Sequence, residues 1–309
     1  MSKIVGIGAN VYDMLIELPF YPEEDTKLKI NFMRPSGGGP CATGLVAASK
    51  LGADSAFIGN VTDDSVGEFL ISDFKKYGVK TEYINAVGGC SPFTSYVILS
   101  KASASRTIIF DRGTLPAYNL DKKAEEAVKN AEILMIDGNE TAAAISACKI
   151  AKQSGTKILY DAGGLYDGVE DLIPFADILI PSEEFALGFT KCGDAKSAAK
   201  RLYDMYDNEA VVITCGKKGG VYCTGGDVLQ YPAFEVSAVD SNGSGDVFHG
   251  AYSFAALNKM PHGEACIFSS AVSALKCTKT GSREGVPFLE ETIKFLKERG
   301  YNEFEKNLG

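Results

Sequence analysis

Val239-Asp240-Ser241-Asn242-Gly243-Ser244-Gly245-Asp246-Val247-Phe248 is the most informative stretch of this chain. Gly243 and Gly245, separated only by Ser244, permit a tight turn and keep side chains away from whatever approaches the backbone. Val247, Ala251, Phe254 and Ala255 then recur at helical spacing, so the loop opens a buried helix whose first N–H groups lack intrahelical partners. Such donors, at the positive end of the helix dipole, make a site for a phosphate or a developing oxyanion. Asp246 lies inside that first turn. An isolated aspartate there would be a capping carboxylate. Beside an anion hole it would repel the anion, so its placement makes best sense if it takes a proton from a nucleophile attacking that anion.

Other ligand loops do not match. Asp240, Asn242, Ser244 and Gly245 suit the first half of a calcium loop, but its twelfth position is Ala251 instead of Glu and no helix leads in. The chain has no G-x-x-x-x-G-K-[ST] run. Gly6-Ile7-Gly8 starts like a dinucleotide fingerprint, yet the third glycine position is Val11 and the strand-like Met14–Leu18 follows where a helix is required.

A chain of 309 residues with 45% hydrophobic content is long enough for one large α/β domain with an appendage, or for two domains. A net charge of −9 argues against nucleic acid or an anionic membrane and for a small-molecule partner. The opening Met-Ser-Lys-Ile-Val-Gly-Ile-Gly reads as a strand, not a signal peptide, and no apolar run could span a bilayer, so a cytoplasmic protein is expected. The eight cysteines show no C-x-x-C spacing and are expected to be free, buried thiols. With only His249 and His262 available, a histidine-rich metal site is excluded, and His249 reads as a core residue rather than a catalytic one.

Along the chain, Lys3–Gly8 is a short apolar strand. Residues 12–36 alternate polar and apolar positions around Pro19, Pro22 and Pro35, which suits exposed strands and not a crossover helix. Gly37-Gly38-Gly39-Pro40 leads into an Ala-rich helix closed by Gly52, and residues 92–111 give two more strands around a polar turn. Helices and short apolar strands then alternate, implying an α/β fold with a mostly parallel central sheet covered by helices on both faces. Ligands bind at the carboxyl ends of such strands. Asp137, Asp161, Ser182 and Thr214 all stand there.

The run D-[ST]-x-G-[AS]-G-D at 240–246, opening a helix near the end of the chain, resembles the signature of the ribokinase-like (PfkB-type) carbohydrate kinases. Leu51-Gly52-Ala53, the strand Ser55–Gly59 and Gly59-Asn60-Val61-Thr62-Asp63-Asp64 are similar in order to that family's N-terminal signature. The resemblance covers nearly the whole chain and implies a core of residues 1–11, 37–91 and 112–309 with a small β-sheet lid from 12–36 and 92–111. It implies an ATP-dependent kinase in which Gly243, Ser244 and Gly245 form the anion hole, Asp246 is the base, and magnesium neutralises the phosphates. Gly38 and Gly39 would hold sugar hydroxyls, with Thr43 where the family carries an asparagine. Asp13, at the junction of strand and insert, either reaches a sugar hydroxyl or is a surface turn residue. Thr214, Gly216 and Gly219 would lie along ATP, although the same residues also read as a hairpin turn, and Ser270 would flank the adenine.

The family's Asn-x-x-Glu is missing, its places taken by Ser182 and Phe185. Glu183, more than Glu184, is the candidate to act on hydrated magnesium in its stead, the alternative being that both merely favour a helix N-terminus. The resemblance also implies a potassium-like cation beside Asp240, Asn242 and Gly281. A ketohexose, pentose or sugar acid is the expected acceptor, with a nucleoside as runner-up. A catalytically silent sugar-binding protein and a nicotinamide-dependent oxidoreductase are the alternatives from other classes. Paired lids could bury their strand edges in a homodimer.

Overall fold

The β1 segment Ile4–Ile7 is buried at every position, as expected of a strand covered on both faces. A computed structural model, which describes residues 2–103, 105–165 and 168–304, places it in the interior of the main sheet. β2 (Val11–Leu18) and β3 (Phe32–Gly38) leave that sheet, and α1 (Pro40–Lys50) returns to it, followed by β4 (Ser55–Thr62), α2 (Ser65–Lys76) and β5 (Lys80–Val87). A second excursion supplies β6 (Thr94–Ser100) and β7 (Ser105–Asp111). The alternating part runs α3 (Lys122–Asn130), β8 (Ile133–Ile136), α4 (Thr141–Ser154), β9 (Lys157–Ala162), β10 (Ile178–Pro181), α5 (Glu183–Thr190) and α6 (Ala195–Met205). It continues with β11 (Ala210–Thr214), β12 (Gly220–Thr224), β13 (Asp227–Tyr231), α7 (Ser244–Leu257), α8 (His262–Cys277) and α9 (Leu289–Lys297).

Among the described residues the main sheet has the order β13-β12-β11-β10-β9-β8-β1-β4-β5, parallel except for the β11-β12 and β12-β13 pairs. Successive strand residues point to opposite faces and so enter different cores. Ile133 and Met135 pack with side chains of α1, α7 and α8, while Leu134 and Ile136 pack with those of α3, α4 and α6. The chain winds from β1 through β4 to β5 on one side and restarts at β8 on the other. At such a reversal connecting loops diverge, which is where α/β sheets form a crevice beyond the strand ends. α7 crosses α1 closely there, because a Cβ on Gly250 would lie 2.0 Å from the Gly44 carbonyl oxygen.

The smaller sheet has the order β3-β2-β6-β7. Its register aligns Ser36, Asp13, Ser95 and Phe110 in one row, and Phe32, Glu17, Leu99 and Arg106 in another four pairs along. These rows share a face, since both lie at even spacing. That face carries the small cluster of Leu15, Val97, Leu99 and Phe32 and is tied to the core by Arg34–Glu284 (2.9 Å) and by Arg106 donating to Ser241 Oγ (3.0 Å). The opposite face carries Met33, Tyr96 and Ile109, all exposed, and every residue of β7 is open to solvent. Among the described residues, no helix is long and apolar enough to cross a membrane. All eight cysteines are free, but the expectation of uniform burial needs correction: Cys41, Cys148, Cys223 and Cys266 are buried, whereas Cys90, Cys192, Cys215 and Cys277 sit at element ends and in turns with partial exposure.

Candidate active site

α7 begins at Ser244 because Gly243 takes the left-handed conformation (φ 72°) and turns the chain into the helix. Among the described residues the N–H groups of Gly245 and Asp246 have no protein acceptor, and the space beside Gly245 is open. These donors aim out of a fixed frame. Asp240 Oδ1 accepts the Asn242 N–H (2.8 Å), Asp240 Oδ2 accepts the Gly281 N–H (2.8 Å), and Ser273 Oγ donates to the Ser244 carbonyl (2.8 Å). Burial pushes the Asp246 carboxyl above the usual carboxylate range and Asp137 adds to the rise, while His249, Arg106 and Lys276 oppose it. A carboxylate so placed holds a proton more readily than an exposed one, which suits a general base beside bound negative charge.

Asp13 approaches the same crevice from β2. It is buried, accepts from Ser95 Oγ (2.6 Å), and lies so close to Gly38 that a Cβ there would meet Asp13 Oδ2 at 2.1 Å. Its pKa is raised to about 6, chiefly by burial, with Ser95 and Arg283 lowering it and Asp246 raising it. Asp13 thus feels the charge of Asp246. Gly39 adopts φ 95° and starts α1, whose Cys41 N–H donates to Asp137 Oδ2 (2.9 Å), as does the Ala9 N–H (2.8 Å). Asp137 therefore pins the loop after β1 to the start of α1. Thr43 is fully buried on α1, and its hydroxyl finds no protein partner; the Nδ2 of Asn10 is likewise unpaired. Buried donors left without partners are rare and costly, and this pair flanks the Gly38-Gly39 turn.

Thr214 ends β11 and is bridged to Ser182, so the strand ends β10 and β11 meet. Residues Gly216–Lys218 form a short 3-10 turn, and Gly219 takes φ 82° where a Cβ would lie 2.2 Å from the Tyr231 carbonyl oxygen. This segment is the hairpin turn that joins β11 to the antiparallel β12. Ser182 Oγ caps α5 by accepting the Phe185 N–H (3.1 Å) and donates to the Gly163 carbonyl (3.2 Å). Ser270 Oγ donates to the Pro232 carbonyl (2.8 Å). Glu183 faces Lys218 Nζ at 3.5 Å across the mouth of the glycine turn, whereas the Phe185 side chain is buried against the α5–α6 layer. Among the described residues no cluster of three or more His, Cys, Asp and Glu side chains could hold a metal ion.

Several residues of the crevice carry no sequence signal of their own. Arg283, fully buried, donates to Asp73 Oδ2 (2.6 Å), Asn10 Oδ1 (2.9 Å) and the Gly38 carbonyl (2.6 Å), so one guanidinium locks the glycine turn. Arg106 reaches Ser241 over 135 positions of sequence. His249 is buried as expected of a core residue, yet its Nδ1 stands 3.2 Å from Asp161 Oδ2 and its Nε2 is 2.9 Å from the Ile180 carbonyl. Burial pushes Asp161 far up and holds His249 down, with Asp246 among the charges acting on both. The histidine therefore belongs to the electrostatics of the crevice floor and not only to the packing.

The sequence matches the pfkB family carbohydrate kinase over residues 1–289. It is 27% identical over 302 residues to a ribokinase of Haemophilus influenzae, covering 96% of this chain and 99% of that protein. It is 29% identical over 290 residues to a 5-dehydro-2-deoxygluconokinase of Clostridium perfringens, covering 86% and 85%. Its fold superposes on Arabidopsis thaliana ribokinase complexed with ribose and ATP with a TM-score of 0.85 at 22% identity, over 96% and 99% of the two chains.

Proposed function

The chain belongs to the pfkB family of carbohydrate kinases, and from that premise we propose that it transfers the γ-phosphoryl group of ATP to a hydroxyl of a small sugar or sugar acid. The observation that carries this reading is the convergence of free N–H donors at Gly245 and Asp246 with two carboxyls, Asp246 and Asp13, in one crevice. Asp13, the Gly38-Gly39 turn and Thr43 hold the acceptor, and the unpaired groups of Asn10 and Thr43 gain partners from its hydroxyls. Asp246 accepts the proton of the attacking hydroxyl. Gly243, Ser244 and Gly245 present the helix start to the charge that develops on the transferred group, a preorganised arrangement that needs no rearrangement at the moment of reaction. Magnesium, when bound, neutralises the β and γ oxygens of the nucleotide. Thr214, Gly216 and Gly219 line the nucleotide, Ser182 and Ser270 order its surroundings, and Glu183 orients water toward the phosphates.

Residues 12–36 and 92–111 act as a lid over the core formed by 1–11, 37–91 and 112–309. The separate small sheet, with its fully exposed β7, supports that division. Hydrogen exchange in β6 and β7 should slow on saturation with the acceptor, and unchanged exchange would count against closure. The outer lid face carries Met33 (57% exposed), Tyr96 (50%) and Ile109 (57%), which supports a homodimer in which two lids cover each other. Sedimentation of the wild type and of Ile109→Glu separates dimer from monomer.

A screen of ketohexoses, pentoses, sugar acids and nucleosides for acceptor-dependent ATP consumption tests the central reading. Turnover with a nucleoside alone would move the acceptor to the runner-up class. Sugar binding without ATP consumption would mark a silent binder, and NAD(P) binding in place of ATP would mark an oxidoreductase.

A further inference from the structure

Lys276 is a charged side chain with no exposure at all, and it lies under the loop that presents the anion hole. Its ammonium donates to the Asp240 carbonyl oxygen (2.8 Å) and stands 3.9 Å from Asp240 Oδ1, whose side chain is itself 1% exposed. The family resemblance calls for a monovalent cation at this place, beside Asp240, Asn242 and Gly281. The residues present do not suit one. Both carboxylate oxygens of Asp240 already accept N–H groups, from Asn242 and Gly281. Three carbonyls of the adjoining turn are engaged as well: Cys277 accepts from Val239 (2.7 Å) and Asp240 (3.1 Å), Lys276 from Lys279 (3.1 Å), and Gly281 from Gly285 (3.2 Å).

Charge gives a second reason. Asp240 and the Lys276 ammonium already pair opposite charges in the same buried volume, so a bound cation would add a second positive charge beside an ammonium, a costly arrangement away from water. A cation in such a loop has two tasks, to bind the backbone carbonyls and to bias the local potential toward a phosphate. The Lys276 ammonium performs both from a covalent tether, and its field extends to Asp246.

We infer that Lys276 is a built-in replacement for the monovalent cation, a positioning residue that fixes the Asp240–Asp246 loop and frees this kinase from potassium. The inference rests on reading that loop as the phosphoryl site, so its test includes a measurement that needs no turnover. In buffers whose cation is choline, the wild type should show the same kcat and the same apo melting temperature whether sodium or potassium is added. Lys276→Met keeps the stem and loses the charge, and kcat should fall by roughly tenfold or more with little change in acceptor KM. Lys276→Ala opens room for an ion. Potassium or ammonium, but not choline, should restore part of its kcat and raise the melting temperature of the apo protein. Several-fold activation of the wild type by potassium over sodium would overturn the inference, as would an unchanged kcat in Lys276→Met. If no acceptor gives turnover, a potassium-selective rise in melting temperature in Lys276→Ala but not in the wild type still supports it, and the same rise in the wild type sinks it. If neither variant folds, the potassium response of the wild type alone decides.

Discussion

The start of α7 and the edge of the lid both offer positive charge to the crevice, and they do so in opposite ways. At α7 the donors are backbone N–H groups held by Asp240, Ser273 and Lys276, all wired into buried structure. At the lid the donor is Arg106, on a strand exposed at every position and joined to the core loop by one hydrogen bond to Ser241. The first arrangement is permanent because its frame is fixed by buried hydrogen bonds. The second is screened and depends on where the lid stands. The difference separates donors fixed within the core from a charge carried on an exposed strand.

The sharpest way to break that contrast is to remove the proposed base, Asp246, from the permanent side. Asp246→Asn should retain ATP binding by calorimetry and lose about 10²- to 10⁴-fold in kcat; near-normal turnover would end the assignment. Because burial raises its pKa and only the ionised form accepts a proton, the acid limb of the wild-type kcat profile should lie above the usual carboxylate range.

On the conditional side, Arg106→Gln should lower kcat by about 10- to 100-fold with little effect on ATP affinity, less than the ~10³ or more that a dedicated arginine finger supplies. A loss as large as that of Asp246→Asn would place Arg106 on the permanent side instead.

Asp13 sits between the two regions, borne by the lid sheet and buried against the core. Asp13→Asn should raise the acceptor KM by about tenfold through loss of a charge-assisted hydrogen bond. Its folded pKa of about 6 exceeds the ordinary value of 3.8, so between those values the native state keeps a proton that the unfolded chain releases, and stability falls as pH rises. The variant should therefore melt about 2–4 °C higher than wild type at pH 8 and show no such gain near pH 4. A gain at both pH values would mean that something other than the buried charge was relieved.

The smallest effect belongs to the crevice mouth. Glu183→Gln should raise the magnesium requirement by about two- to fivefold, the scale of one exposed charge, and leave acceptor KM unchanged. If Glu183→Gln and Glu184→Gln both behave as wild type across a magnesium titration, the carboxylate is a helix-start residue only.

Much of this molecule is written in local sequence. The apolar strands, the glycines at 243 and 245 and the helix that follows them are short-range features, set by backbone freedom and periodicity, and Asp246 could be singled out because its neighbours in sequence are also its neighbours in space. The inserted strands were legible for the same reason, through prolines and alternation, although alternation could not say which lid face meets the core. That required the register, which places Asp13 beside Ser95 and Ser36 and turns Met33, Tyr96 and Ile109 outward. Arg283, Arg106, Asn10 and Lys276 were illegible because each acts on residues far away in the chain. Arg283 locks Gly38 from 245 positions away, and Lys276 reads locally as one more lysine on a small-residue helix until packing removes water from it and sets Asp240 against its ammonium. A lysine's charge is a property of its sequence position, but what that charge holds in place depends on which distant groups the fold buries beside it.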